Sequence, residues 1–131
     1  VYGTHLAEAT RMGANVIFVM TNDGWWDNTA GHKQHFSYSR LRAIELRRSV
    51  ARSANTGISG FIDQRGQPLA TTKWWESTAL RHTINLNDEL TFYARTGDVL
   101  YTMALFLSLG AIVVWLYYAI RGKTVSGNRE I

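Results

Sequence analysis

Residues 99–120 read VLYTMALFLSLGAIVVWLYYAI, twenty-two consecutive positions without a charge. Wound as an α-helix at about 1.5 Å per residue, the segment reaches roughly 33 Å, enough to cross a hydrocarbon core of about 30 Å. Asp98 closes one end and Arg121 the other, while Tyr101, Trp115, Tyr117 and Tyr118 fall near the ends, where aromatic side chains favour the membrane interface. A buried core helix is the competing reading. Arg121, Lys123 and Arg129 follow the segment, so the positive-inside rule puts a short tail, residues 121–131, in the cytoplasm and residues 1–98 on the other side.

A chain that spans once still needs a fold for the rest. Of 131 residues, 46% are hydrophobic and 18% charged, with one proline, which suits a single packed domain rather than a disordered tract. Cysteine is absent, excluding a disulfide framework, a thiolate metal site and a cysteine nucleophile within these residues. The chain starts at Val1 with no basic and apolar leader, so it reads as a piece whose beginning lies elsewhere. The net charge of +4 comes mainly from two clusters, five arginines between Arg40 and Arg52 and the three basic residues of the tail. The first cluster lacks the interleaved aromatics of a single-strand binder, and nucleic acid is not expected as a partner.

Leu6, Ala9 and Met12 share a face of an expected helix over Thr4–Met12, which Gly13 ends. Val16 to Met20 is an unbroken apolar run, the pattern of a strand buried on both faces. Phe36, Ser39, Ala43, Leu46 and Val50 recur at spacings of three and four, predicting a helix from about Lys33 to Ala51. On it Arg40, Arg47 and Arg48 lie off the apolar face, and Glu45 stands three residues from both Arg42 and Arg48, within pairing distance. Residues 53–63, the turn Gln64-Arg65-Gly66-Gln67, and Leu69 to Thr72 read as a hairpin, and the alternation from Leu80 to Leu86 as a further strand. The order implies an α/β domain holding part of a larger sheet.

Candidate chemistry concentrates after the first strand. Asn22, Asp23, Trp25 and Trp26 combine an amide, a carboxylate and two large amphipathic rings where a buried strand ends. His32 and His35 share a helix face, but no third ligand stands at a dedicated spacing, and no metal is expected. His5 and His82 are isolated, no Gly-x-Ser-x-Gly elbow occurs, and phosphate-cradling loops are missing.

Thr21-Asn22-Asp23-Gly24-Trp25-Trp26, Gln34-His35, Arg40-Leu41-Arg42-Ala43-Ile44-Glu45, Arg52 to Ser59, Asp63-Gln64-Arg65-Gly66 and Thr91 to Asp98 occur in this order, with the apolar segment directly after Gly97-Asp98. Together they resemble the carboxyl-terminal half of the apolipoprotein N-acyltransferases, members of the nitrilase, or carbon–nitrogen hydrolase, superfamily. Asp27 and Ser49 depart from the family, which usually has Gly at the first position and often Pro at the second.

The resemblance implies the carboxyl-terminal part of a nitrilase-like αββα sandwich over 1–98, a transmembrane helix over 99–120 and the tail beyond. It implies a bacterial inner-membrane enzyme with its folded domain in the periplasm. Such an enzyme moves an acyl chain from a phospholipid donor to the amino group of a diacylglyceryl-modified apolipoprotein, through a cysteine thioester and without a cofactor. The family's Glu base, Lys and Cys nucleophile precede Thr4 by family order, the Cys a few residues before Val1. Lys33, Lys73, Glu8 and Glu45 match none of them, so this chain alone is expected to be inactive. Asn22, Asp23, Trp25 and Trp26 are then expected to border the substrate pocket. Arg42 and Glu45 are expected to form a structural ion pair, and Asn55 and Gly57 to shape a turn, Gly57 through a positive φ. A membrane-tethered amidase and a non-catalytic anchored interaction domain are the alternative functions.

Overall fold

The computed structural model describes residues 2–126, which divide into a folded unit ending at Gly97 and a helical unit beginning at Asp98. In the first unit, α1 (Gly3–Arg11) leads to β1 (Val16–Thr21), a 3₁₀ turn (Gly24–Trp26), α2 (Ala30–Leu46), β2 (Ser49–Ala54), β3 (Gly60–Ile62), β4 (Pro68–Thr71) and the short α3 (Phe92–Thr96). The sheet order is β1-β2-β3-β4, with β1 and β2 parallel and the other two pairs antiparallel. A parallel pair needs a crossover, and α2 supplies it. The result is a mixed α/β sheet with its helices packed on one face.

Period-two geometry assigns the faces. Ile17 pairs with Val50, and Val50 with Ile62, and all three are buried with Phe36, Ala43 and Leu46 of α2, Ala7 of α1 and Ala94 of α3. The opposite face carries Phe18, Met20 and Phe61, and there the expectation of a strand covered on both sides is corrected. Phe18 is 72% and Met20 88% exposed. A concavity of about 670 Å³, lined by Phe18, Met20, Phe61 and Leu80 among others, lies over that face. The apolar run reflects a second face that the described residues leave largely open at Phe18 and Met20.

Helix α2 begins at Ala30, where the Thr29 side chain accepts a hydrogen bond from the Gly31 N–H, and buries His32, Phe36, Ser39, Ala43 and Leu46. It ends at Leu46, five residues short of the expected Ala51. Arg47 takes a left-handed conformation, φ 51°, with its N–H bonded to the Ala43 carbonyl, and the Arg48 N–H turns back to the same oxygen at 3.3 Å. Glycine usually holds this position; an arginine there hides the stop, and Val50 continues the helical spacing although it belongs to β2.

Arg48 also departs from expectation, since it lies beyond the end of α2 and is buried rather than standing on the helix off its apolar face. Its guanidinium donates to the carbonyls of Ala14 (2.7 Å), Leu46 (3.2 Å) and Glu89 (2.8 Å), clamping the β1 entry and the segment before α3 onto the end of α2. Burial lowers its pKa, against the opposing charge of Asp88. Residues 80–86 form no strand: the segment is held by isolated bonds, such as Ser49 Oγ to the Asn85 carbonyl at 2.7 Å, rather than by a ladder. The hairpin is present, its turn organised by Asp63 Oδ1, which accepts from the N–H groups of Arg65 and Gln67 at 2.9 and 2.7 Å, with Gly66 at φ 79°.

In the second unit, α4 spans Val99–Ser126, and residues 99–121 are long and apolar enough to cross a membrane. Every residue from Leu100 to Arg121 is exposed, the reverse of a core helix. The expected tail over 121–131 begins inside this helix, and residues 127–131 lie outside the described residues.

Replacing Arg48 by Met leaves three carbonyls without their donor. The expected cost is about 3 kcal/mol of stability, read as a lowered thermal midpoint of the full-length protein, and Arg48→Lys should recover only part of it because an ammonium lacks the planar fork.

Candidate functional site

Because β1 and β2 run parallel, both end at the same edge of the sheet, and the loops that follow them, 22–29 and 55–59, emerge side by side. Binding sites of open α/β sheets form at this edge. The Asn55 N–H donates to the Thr21 carbonyl at 3.0 Å, joining the loops at their base.

Asp23 is the centre of this edge. Its side chain is fully buried, with Oδ2 accepting from Arg52 Nη2 at 2.8 Å and Oδ1 lying 2.8 Å from His35 Nδ1. Thr21 Oγ1 donates to Oδ1 at 3.2 Å. Arg52, equally buried, spends its other donors on Ser39 Oγ (3.0 Å) and the Ile58 carbonyl (3.2 Å). A carboxylate only accepts, so the short contact to His35 requires the proton on Nδ1, and the 3.2 Å approach of Arg52 Nη2 to that nitrogen is then not a hydrogen bond. Burial alone would raise the Asp23 pKa. The hydrogen bonds from His35 and Arg52, with the charge of both, outweigh it and hold the group below its ordinary value.

The four candidate residues of this loop therefore separate. Asp23 is withdrawn from solvent and saturated with partners, so it holds the loop rather than offering itself to a ligand. Asn22 folds the turn, its Oδ1 accepting from the Gly24 N–H at 3.1 Å. Trp25 is 83% exposed and Trp26 46%, the latter lying over Gly31, with its ring centroid 6.4 Å from that of His35. Any Cβ at Gly31 would strike the Trp26 indole, at 2.6 Å from Cε3. Trp25 and Trp26 are what the edge presents outward.

Gly57 is buried and corrects the reason given for it. Its φ is not positive; instead, a Cβ there would overlap the Asp23 carboxylate. Arg42 Nη1 and Glu45 Oε2 pair at 2.7 Å, away from this edge, where the Arg42 guanidinium lies against Gly3 of α1. His32 and His35 do not converge: His32 stacks on Trp74 at 4.2 Å while His35 turns to Asp23. Among the described residues no three metal-ligating side chains gather. Sequence reasoning missed Arg52 and His35 as partners of Asp23, since no local spacing links them. It also missed Trp74-Trp75, although a second Trp-Trp pair is visible in the sequence.

The carbon–nitrogen hydrolase profile matches residues 1–92. With the mixed α/β sheet this places the chain in the carbon–nitrogen hydrolase family. Its relatives include proteins named apolipoprotein N-acyltransferase. The one from Chlorobaculum tepidum is 42% identical over 89 residues, 68% of this chain and 17% of the relative. Those from Pasteurella multocida (33% over 110 residues, 83% of this chain and 21% of the relative) and Haemophilus influenzae (30% over 118 residues, 88% and 23%) extend the similarity into the apolar helix. The chain thus spans about a fifth of the length of these curated relatives.

A carboxylate whose pKa is lowered on folding adds stability above its unfolded pKa, near 3.8, and that stability is lost as the pH falls through the folded value. Thermal midpoints of the full-length protein should therefore drop below about pH 4, and less steeply in Asp23→Asn. Gly57→Ala should cost about 1–3 kcal/mol by displacing the Asp23 carboxylate, measured by the same thermal unfolding.

Proposed function

We propose that this chain is the carboxyl-terminal part of a membrane apolipoprotein N-acyltransferase. In the full-length protein a cysteine outside these residues attacks the ester carbonyl of a phospholipid, forms an acyl thioester and releases the lysophospholipid. The α-amino group of a diacylglyceryl-modified lipoprotein cysteine then attacks the thioester, forms the amide and frees the thiol. A Glu base takes the proton at each attack and a Lys helps hold the oxyanion, both also outside this chain.

The observation that carries this reading is the direct run of a carbon–nitrogen hydrolase domain, through Gly97-Asp98, into a helix apolar on every side. An amidase acting on small soluble amides has no use for such a helix, whereas an enzyme whose donor is a phospholipid must work at the bilayer. The relatives' names support the same class. In this reading residues 1–98 stand in the periplasm, 99–120 cross the inner membrane and 121–131 enter the cytoplasm, as the basic residues after the span favour. The exposed sheet face with Phe18, Met20 and Phe61 is covered by the other sheet of an αββα sandwich, built from the remainder of the protein.

Asn22, Trp25 and Trp26 border the pocket in which the acyl chain and the acceptor meet. Asp23 keeps the loop in place, and Asn55 and Gly57 complete its floor. Arg42 and Glu45 act as a structural pair, so Glu45→Ala should reduce the amount of folded protein rather than its turnover.

Incubated with phospholipid alone, the purified full-length protein should gain the mass of one acyl group, removable by hydroxylamine, and pass it to a diacylglyceryl-cysteinyl peptide. No adduct and no acylated peptide would refute the proposal. Trp25→Ala should lower turnover about tenfold, a loss matching roughly 1.4 kcal/mol of an aromatic contact; unchanged turnover would make the loop scaffold.

A further inference from the structure

The Trp25-Trp26 pair has a counterpart in Trp74-Trp75, in the turn after β4. Trp74 stacks on His32, one turn before His35 on α2, and its ring centroid is 5.7 Å from that of Trp75. The turn is thereby fastened to the same end of α2 that carries Trp26. Trp75 has a left-handed backbone, φ 59°, sparsely populated for so large a side chain, and its N–H donates to the Thr56 carbonyl at 3.0 Å. Yet its indole is 67% exposed. A backbone fixed in a costly conformation beneath an uncovered ring fits a binding wall better than a packing residue.

Beside this ring lies a concavity of about 260 Å³, lined by Asn55, Thr56, Trp75, Glu76 and Ser77. It adjoins the loop after β1: a Cβ on Gly24 would stand 3.3 Å from Thr56 Oγ1, and Gly57 abuts Asp23. The Thr56 hydroxyl is buried and has no hydrogen-bond partner among the described residues. Four of the five lining residues are polar. An acyl chain would strip them of water and return no hydrogen bond, whereas a polypeptide backbone supplies both donors and acceptors and can lie flat on an indole.

We propose that this concavity is a peptide subsite: it takes the lipoprotein backbone that follows the modified cysteine, with Trp75 as its platform. The inference rests on the acyltransferase reading and adds to it where the acceptor, as distinct from the phospholipid, is held.

The test uses the full-length protein in phospholipid–detergent micelles, with a diacylglyceryl-cysteinyl peptide as acceptor. Two readouts separate the half-reactions: thioester formation from phospholipid alone, by intact mass, and the KM and kcat for the peptide. Trp75→Ala should raise the peptide KM about tenfold, as loss of one aromatic platform predicts, with kcat and thioester formation at wild-type rates. Trp75→Phe should recover most of the KM. An unchanged KM would overturn the proposal. So would a parallel loss of thioester formation, which would give the concavity to the phospholipid donor or to the scaffold. A wild-type protein that forms no thioester refutes the acyltransferase reading itself, and this is seen before any variant is compared.

Discussion

The ion pair between Asp23 and Arg52, fully buried and braced by His35, Ser39 and Thr21, is the interaction on which this edge of the domain depends. Removing two charges from water costs several kcal/mol each, and the cost is offset only when the geometry is good and the remaining donors and acceptors are used. Here they are. Both Asp23 oxygens are engaged, and Arg52 donates to three partners besides spanning the step from β2 to the 55–59 loop. The pair joins β1, β2 and α2 at one point, so the loops that carry Asn22, Trp25 and Trp26 inherit their position from it.

The aromatic side chains at this edge depend on that frame in different ways. Trp26 lies over Gly31 at the start of α2, and Trp74 on His32, so two separate turns rest on one helix end. Trp25 and Trp75 remain exposed beyond them. Rings held from beneath and open above are suited to amphipathic ligands, since an indole offers apolar area with a polar edge and loses little freedom on contact. The bilayer-bound donor and lipid-anchored acceptor of the proposed function would be such ligands.

Much of the fold was legible in the sequence. The run from Val16 and the Phe36, Ser39, Ala43 and Leu46 spacing each mark an element the structure contains, and on α2 burial of one face imposes its period on the sequence. The first helix is present, but it buries Ala7 and Thr10 rather than the expected face of Leu6, Ala9 and Met12, with Met12 78% exposed. The end of α2 was not legible, since Arg47 closes the helix in a conformation that glycine usually signals and Val50 keeps the helical spacing by coincidence. Residues 80–86 alternate like a strand but form no ladder with the sheet. The candidate loop was found from residue type and position alone. Its internal division was not, because Asp23 looks like a surface carboxylate until Arg52, twenty-nine positions away, is brought beneath it. Gly57 likewise needed the three-dimensional neighbour, the Asp23 carboxylate, to explain it.

Whether the Asp23–Arg52 pair holds this edge together is measured by a double-mutant cycle. Asp23→Leu, Arg52→Met and the double variant of the full-length protein would be compared by thermal unfolding and by collisional quenching of tryptophan fluorescence. Each single variant, left with an unpaired buried group, should lose more than the double, with a coupling above about 1 kcal/mol and a change in tryptophan exposure in both singles. Additive effects within about 0.3 kcal/mol, with unchanged quenching, would contradict it.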